Sequence, residues 1–218
     1  MKSLETVLSR RSINLDITYR CTLECPKCLR RVVPTNNLDD LSLENFKKII
    51  KHFDQIEFCG QISDPIFHPQ FIEFLKLTTN KRVFVHTAAS HKSMDWYTDA
   101  FTANKNATWE FGIDGLPQDS HKYRINQNGE HLFKVMKSGV ELGNDIRWQY
   151  IIFKYNENDI EEAKSLAADH NITFKLVKSS RWHESYGYGE WKDEMWDKLL
   201  FQPSDEYIGN WLGNDNKQ

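Results

Sequence analysis

The sequence predicts an α/β fold: a partial, three-quarter TIM barrel, (β/α)6, followed by a short aromatic-rich C-terminal tail. Short runs rich in branched and aromatic residues alternate with longer segments of helical period, and six such pairs can be counted along the chain. Such alternation implies a parallel sheet, because each crossover helix returns the chain to the same edge. Eight units would close a full barrel, whereas the six here leave it open.

The elements follow in order. "INLDITY" (13–19) alternates as a strand does. The segment 41–53 places Leu43, Phe46, Ile49, Ile50 and Phe53 on one helical stripe, with Ser42 as N-cap. "QIEFCG" (55–60) is a strand ending at glycine, and 69–79 is a helix with Pro69 in its first turn. A strand over 82–87 and a helix over 93–104 come next. The fourth strand, 107–115, runs into an Asp-Gly turn, and its helix, 129–143, closes on Gly143. The strongest strand, 146–155, leads to a helix over 157–171 with acidic residues in its first turn. A sixth strand, 172–179, and a weaker helix near 190–200 complete the series. With no repeat or clear linker, residues 1–180 read as one barrel domain, and 181–218 as a tail packing on or across it.

Composition narrows the function. The 218 residues are 39% hydrophobic and 27% charged, a balance that sustains a packed core. A net charge of -3, with no recognition helix or basic stripe, argues against a nucleic-acid partner. No apolar run approaches the roughly 20 residues that cross a bilayer. The first residues, "MKSLETVLSRRS", lack the apolar centre of a secretory signal. The cytoplasm is the expected location.

The chemistry concentrates in "CTLECPKC", where Cys21, Cys25 and Cys28 crowd into eight residues. A structural zinc site takes four protein ligands and a disulfide two. Three thiols suggest a centre with one coordination position left open. Zinc would need a fourth ligand such as Cys59 or His68.

Cys21-x3-Cys25-x2-Cys28, set after the first strand of a partial barrel, resembles the signature of the radical S-adenosylmethionine superfamily. The resemblance implies a [4Fe-4S] cluster on these three residues, with the fourth iron chelated by the methionine end of S-adenosylmethionine. It further implies that an electron, from flavodoxin or ferredoxin, cleaves the sulfonium and yields a 5′-deoxyadenosyl radical that abstracts hydrogen from substrate. In "CGQISDPIFHP", Ser63-Asp64-Pro65 stands where the family has Gly-Gly-Glu-Pro. By resemblance Ser63 and Asp64, with Gly60 and Gln61, hold the cofactor's amino group. "FGIDGLPQDSHKYR" is similar to the family's Ser-x-Asp-Gly followed by His and Tyr-Arg. Arg124 then binds the cofactor's carboxylate, Asp114 shapes the turn or approaches the ribose, and Gly112 lacks the serine's hydroxyl contact. His121 reads as structural or substrate-side. Gln149 either faces the cavity near the ribose or is an outward polar position. Lys27 stands where the family has an aromatic residue, and with Arg20, Arg30 and Arg31 it would offset the cluster's charge.

Cys59 reads as a small core residue. No cysteine follows it, which excludes auxiliary clusters within this chain. The tail carries Trp182, Tyr186, Tyr188, Trp191 and Trp196, rings that suit a lid keeping a radical from solvent. His183, Tyr186 and Tyr188 are its candidate substrate contacts. The substrate is a peptide, a protein or a small metabolite, and the sequence names no catalytic side chain. Two alternatives stand beside this reading: a non-catalytic interaction module binding zinc or an iron-sulfur centre, and a family member acting on a nucleoside or nucleotide.

Overall fold

Alternation along each strand leaves one face apolar and the other mixed, which suits a sheet with helices outside and a solvated interior. The computed structural model of the chain describes residues 12–26, 28–31, 33, 38–60, 62–177, 203–204 and 207. Six parallel strands follow one another across a single sheet: β1 (Ser12–Leu15), β2 (Gln55–Phe58), β3 (Arg82–Thr87), β4 (Thr108–Gly112), β5 (Asp145–Ile151) and β6 (Thr173–Val177). The intervening helices are α1 (Leu43–Ile49), α2 (Phe71–Lys76), α3 (Met94–Ala103), α4 (Gly129–Glu141) and α5 (Ile160–Asp169). This is the open α/β partial barrel that the alternation predicts.

The core lies between sheet and helices. Phe58, Val85, Trp109 and Ile146 run through register partners of β2 to β5 and are all buried. Phe46 of α1 stacks on Phe74 of α2 at 4.1 Å between ring centroids, and Phe74 lies 6.5 Å from Phe58. The opposite parity (Glu57, His86, Glu110 and Gln149) points into the barrel and lines a cavity. Ser42 caps α1 as expected, its side chain accepting from Asn45 N at 3.2 Å. Gly143, at φ +84, follows α4 in the left-handed conformation that glycine adopts without strain.

Most elements are shorter than the sequence expectation, and at three boundaries a hydrogen bond shows why. β1 stops at Leu15, and the following loop is held elsewhere, Thr18 Oγ1 donating to Asp40 Oδ1 at 2.7 Å. α2 begins at Phe71 rather than Pro69, since Asp64 caps a separate 3-10 turn over Pro65–Phe67 and His68 Nδ1 accepts from Gln70 N. β5 ends at Ile151 because Asn156 folds back, accepting from Phe153 N at 2.6 Å and donating to Ile151 O at 3.0 Å. The expected helix near 190–200 lies outside the described residues. Within the tail, Ser204 N donates to Glu157 Oε2 at 2.6 Å and Tyr207 Oη to Glu157 O at 2.9 Å. Among the described residues no helix is long and apolar enough to cross a membrane.

Candidate active site

A cavity of about 310 Å³ opens at the carboxyl ends of the strands, where parallel barrels carry their chemistry. Cys21, Cys25 and Cys28 all line it. Their loop is shaped by its own turns: Cys28 N donates to Cys25 O at 3.1 Å, and Leu23 N approaches Cys21 Sγ at 3.4 Å. It is also tied across the barrel. Glu24 N donates to Ile125 O and Asn126 Nδ2 to Thr22 O, both at 3.1 Å, so two hydrogen bonds join the cysteine loop to the Arg124 loop. Burial, and then the neighbouring Asp64, push the Cys21 thiol up to about 12, so a metal held here would have to displace the thiol's proton and stabilise the thiolate.

The donor set fits an iron-sulfur cluster. A cubane presents a separate iron to each thiolate, so its ligands stand around a volume instead of converging on a point. Among the described residues, no three His, Cys, Asp or Glu side chains gather as a single ion requires. His68 is unsuited as a fourth ligand for zinc. Its Nδ1 accepts from Gln70 N at 3.0 Å, which leaves Nε2 as the donor to Leu41 O, also at 3.0 Å. Burial holds its pKa below the ordinary value.

The turn after β2 is built around Asp64, which is 4% exposed. Its Oδ2 accepts from Ala88 N and Ala89 N, both at 2.9 Å, and Thr87 Oγ1 reaches both oxygens at 2.8 and 3.0 Å. Ile66 N completes the set at 3.3 Å. Burial raises the carboxyl's pKa and these donors oppose it. The Asp64 side chain therefore fastens the end of β3 to the turn, and the turn's backbone is what remains to face a ligand. Ser63 Oγ donates to Asp16 Oδ1 at 2.9 Å. A Cβ on Gly60 would stand 1.8 Å from Ser63 O, so only glycine permits this fold of the turn.

Arg124 is 9% exposed and lines the cavity from the opposite side. Its Nε lies 2.7 Å from Asp114 Oδ2. Burial alone would lower the guanidinium's pKa, but Asp114 chiefly, with Cys25 and Tyr123, more than reverses this and keeps it charged. Asp114 stands behind Arg124: fully buried, it does not line the cavity, and its Oδ1 accepts from Ile151 N at 2.8 Å. Gly112 has a reason of its own. A Cβ there would meet Arg124 Nη2 at 2.6 Å, so the missing side chain is the space that the guanidinium fills.

Of the remaining candidates, Gln149 lines the cavity and so is not an outward-facing polar position. Cys59 also lines it, half-buried, and is no core residue; the strand parity that turns Phe58 outward turns Glu57 and Cys59 inward. His121 is exposed and does not line the cavity. Gln61, Lys27, His183, Tyr186 and Tyr188 lie outside the described residues. The sequence reading passed over Asn14, Glu57, His86, Thr87 and Glu110, all of which line the cavity. The available signal was polar residues recurring at alternate positions of strands buried on their other face. Glu110, 5% exposed, lies 3.3 Å from His86 Nδ1 and is bonded by Lys175 Nζ at 2.8 and 3.0 Å.

No family model matches the chain, and no curated protein does. Solved structures do. Streptococcus suis SuiB bound to S-adenosylmethionine superposes with a TM-score of 0.64 at 14% identity, over 93% of this chain and 48% of that one. SuiB bound to its precursor peptide SuiA gives 0.67 at 14% identity, over 93% of this chain and 46% of that one. Methylornithine synthase (PylB) gives 0.56 at 13% identity, over 78% of this chain and 54% of that one. The chain thus spans about half the length of these proteins. Its open six-stranded α/β barrel, with the cysteine loop at the carboxyl ends of the strands, shares the fold of these structures.

Proposed function

We propose that this chain is a radical S-adenosylmethionine enzyme. The observation that carries the reading is the shared cavity, lined by three thiols at the superfamily's spacing together with Arg124, Gln149, Gly60, Ser63 and Asp64. Cys21, Cys25 and Cys28 would hold three irons of a [4Fe-4S] cluster, leaving the fourth for the cofactor. When bound, cluster and S-adenosylmethionine supply reductive cleavage of the sulfonium to a 5′-deoxyadenosyl radical that removes hydrogen from substrate.

The chain's own residues bind and orient. Arg124 is a permanent cation held by Asp114, and no described residue hydrogen-bonds its terminal amino groups, which suits it to the cofactor's carboxylate. The turn at Ser63 and Asp64 offers backbone acceptors toward an ammonium, with Asp64 fixing their position. Gln149 offers an amide to the ribose. His183, Tyr186 and Tyr188 are assigned to substrate contact, and the tail to a lid over the barrel. SuiB was crystallised with a precursor peptide, which supports a peptide substrate here, with a small metabolite next. Flavodoxin or ferredoxin in the cytoplasm would supply the electron.

The test is anaerobic reconstitution with iron and sulfide. About four irons per chain are expected, with reductant-dependent release of 5′-deoxyadenosine, and replacing the three cysteines with alanine abolishes both. One zinc per chain without S-adenosylmethionine binding would overturn the proposal.

A further inference from the structure

The charges lining the cavity are unequally compensated. Glu110 is closed by Lys175 and His86, Arg124 is paired with Asp114, and Asp64 is enclosed by hydroxyl and amide donors. Glu57 differs. It lines the cavity half-buried from β2, and its side chain accepts only from the neutral amide of Gln55, at 2.5 Å. Among the described residues no Lys, Arg or His comes within ion-pair distance of it. Its register partner on β1 is Asn14, which lines the same cavity and adds hydrogen-bonding capacity without charge.

An uncompensated carboxylate in a concave, partly desolvated chamber focuses negative potential onto whatever enters. Among the described residues no cation answers that charge. We propose that Glu57 is the docking point for a cationic group of the substrate, a primary ammonium or a guanidinium, with Asn14 as the neutral partner beside it. The inference rests on the cavity being the substrate chamber of the enzyme described above. It selects within the candidate substrates: a peptide presenting a lysine or arginine side chain, or a small amine, fits, and an anionic metabolite does not. A carboxylate on the substrate would meet Glu57 as a like charge in a confined space, which costs several-fold in affinity at least.

The experiment uses the reconstituted protein loaded with S-adenosylmethionine. It is titrated calorimetrically with N-acetyl-lysine amide and with its uncharged isostere, N-acetyl-norleucine amide. The lysine probe is expected to bind about tenfold tighter, as one charge-assisted hydrogen bond provides, and added salt should weaken that probe alone. In Glu57→Gln the preference should vanish while iron content and S-adenosylmethionine affinity hold, and Glu57→Asp should keep part of it. Equal affinity for the two probes in the wild type overturns the inference without any variant. A preference that survives Glu57→Gln also overturns it. So does a matching fall in S-adenosylmethionine affinity, which would assign Glu57 to the cofactor's own cationic groups. Protein that binds neither iron nor S-adenosylmethionine overturns the functional reading, and this inference with it.

Discussion

At Gly112 and Arg124, two residues share a space that holds one side chain. A serine at 112 would bring its Cβ to 2.6 Å from Nη2 and 2.9 Å from Cζ of the guanidinium. Gly112→Ser should therefore displace Arg124 and weaken S-adenosylmethionine binding about tenfold or more, measured by calorimetry. Asp114→Asn acts on the same pair from behind. It leaves a buried cation without its counter-charge, and urea unfolding should show a loss of about 3–5 kcal/mol. The sequence carried the identity of Arg124 through its Tyr-Arg context, and it made Gly112 look like a missing contact. What it could not carry is that the guanidinium lies over Gly112, because that contact joins a strand end to a loop by packing alone. Asp64 teaches the same lesson: its position in the motif was legible, while its partners at Thr87, Ala88 and Ala89 depend on β3 lying beside β2.

Among the elements, α4 follows the Arg124 loop directly and packs its first residue, Gly129, against Pro117 and Ser120. Its N-cap is Asn128, whose Oδ1 accepts from His131 N at 2.9 Å, and Asn128→Ala should cost about 1 kcal/mol in urea unfolding. The next residue reverses an ordinary rule. Glycine to alanine in a helix usually stabilises by up to about 1 kcal/mol. A Cβ on Gly129, however, would stand 2.2 Å from Pro117 O and 2.3 Å from Ser120 Oγ. Gly129→Ala should therefore destabilise, and by more than Asn128→Ala does in the same measurement. The existence and type of each described strand and α-helix were legible from periodicity, and Ser42 and Gly143 from local chemistry, whereas the 3-10 turns were not. Boundaries were less legible where a side chain intervened: Asn156 ends β5, and the paired bonds of Asp64 and His68 delay α2.

Across the whole molecule, Glu110 braces the barrel from within. It sits on β4, meets His86 on β3, and is bonded by Lys175 on β6, across the intervening β5. Burial pushes its pKa up, but the hydrogen bonds from His86 and Lys175 outweigh this and hold it below the ordinary 4.5. The unfolded chain therefore binds a proton here at higher pH than the folded one does. The resulting stability is present above about pH 4.5 and is lost as pH falls through the folded value. Urea midpoints followed downward from about pH 6 should drop more steeply in the wild type than in Glu110→Gln. A parallel decline in the two proteins would count against the brace.

By itself the sequence determined the order of strands and helices, the direction of the sheet, and the loop that bears the three thiols. Those properties are written in neighbouring residues: a period of two or of 3.6, a cap, a spacing between cysteines. Only the tertiary structure decided which polar residues face a common chamber and which of their charges are already answered. Glu57, His86, Glu110 and Lys175 come from separate strands, and whether a carboxylate is paired or open depends on distances between strands that no local pattern encodes.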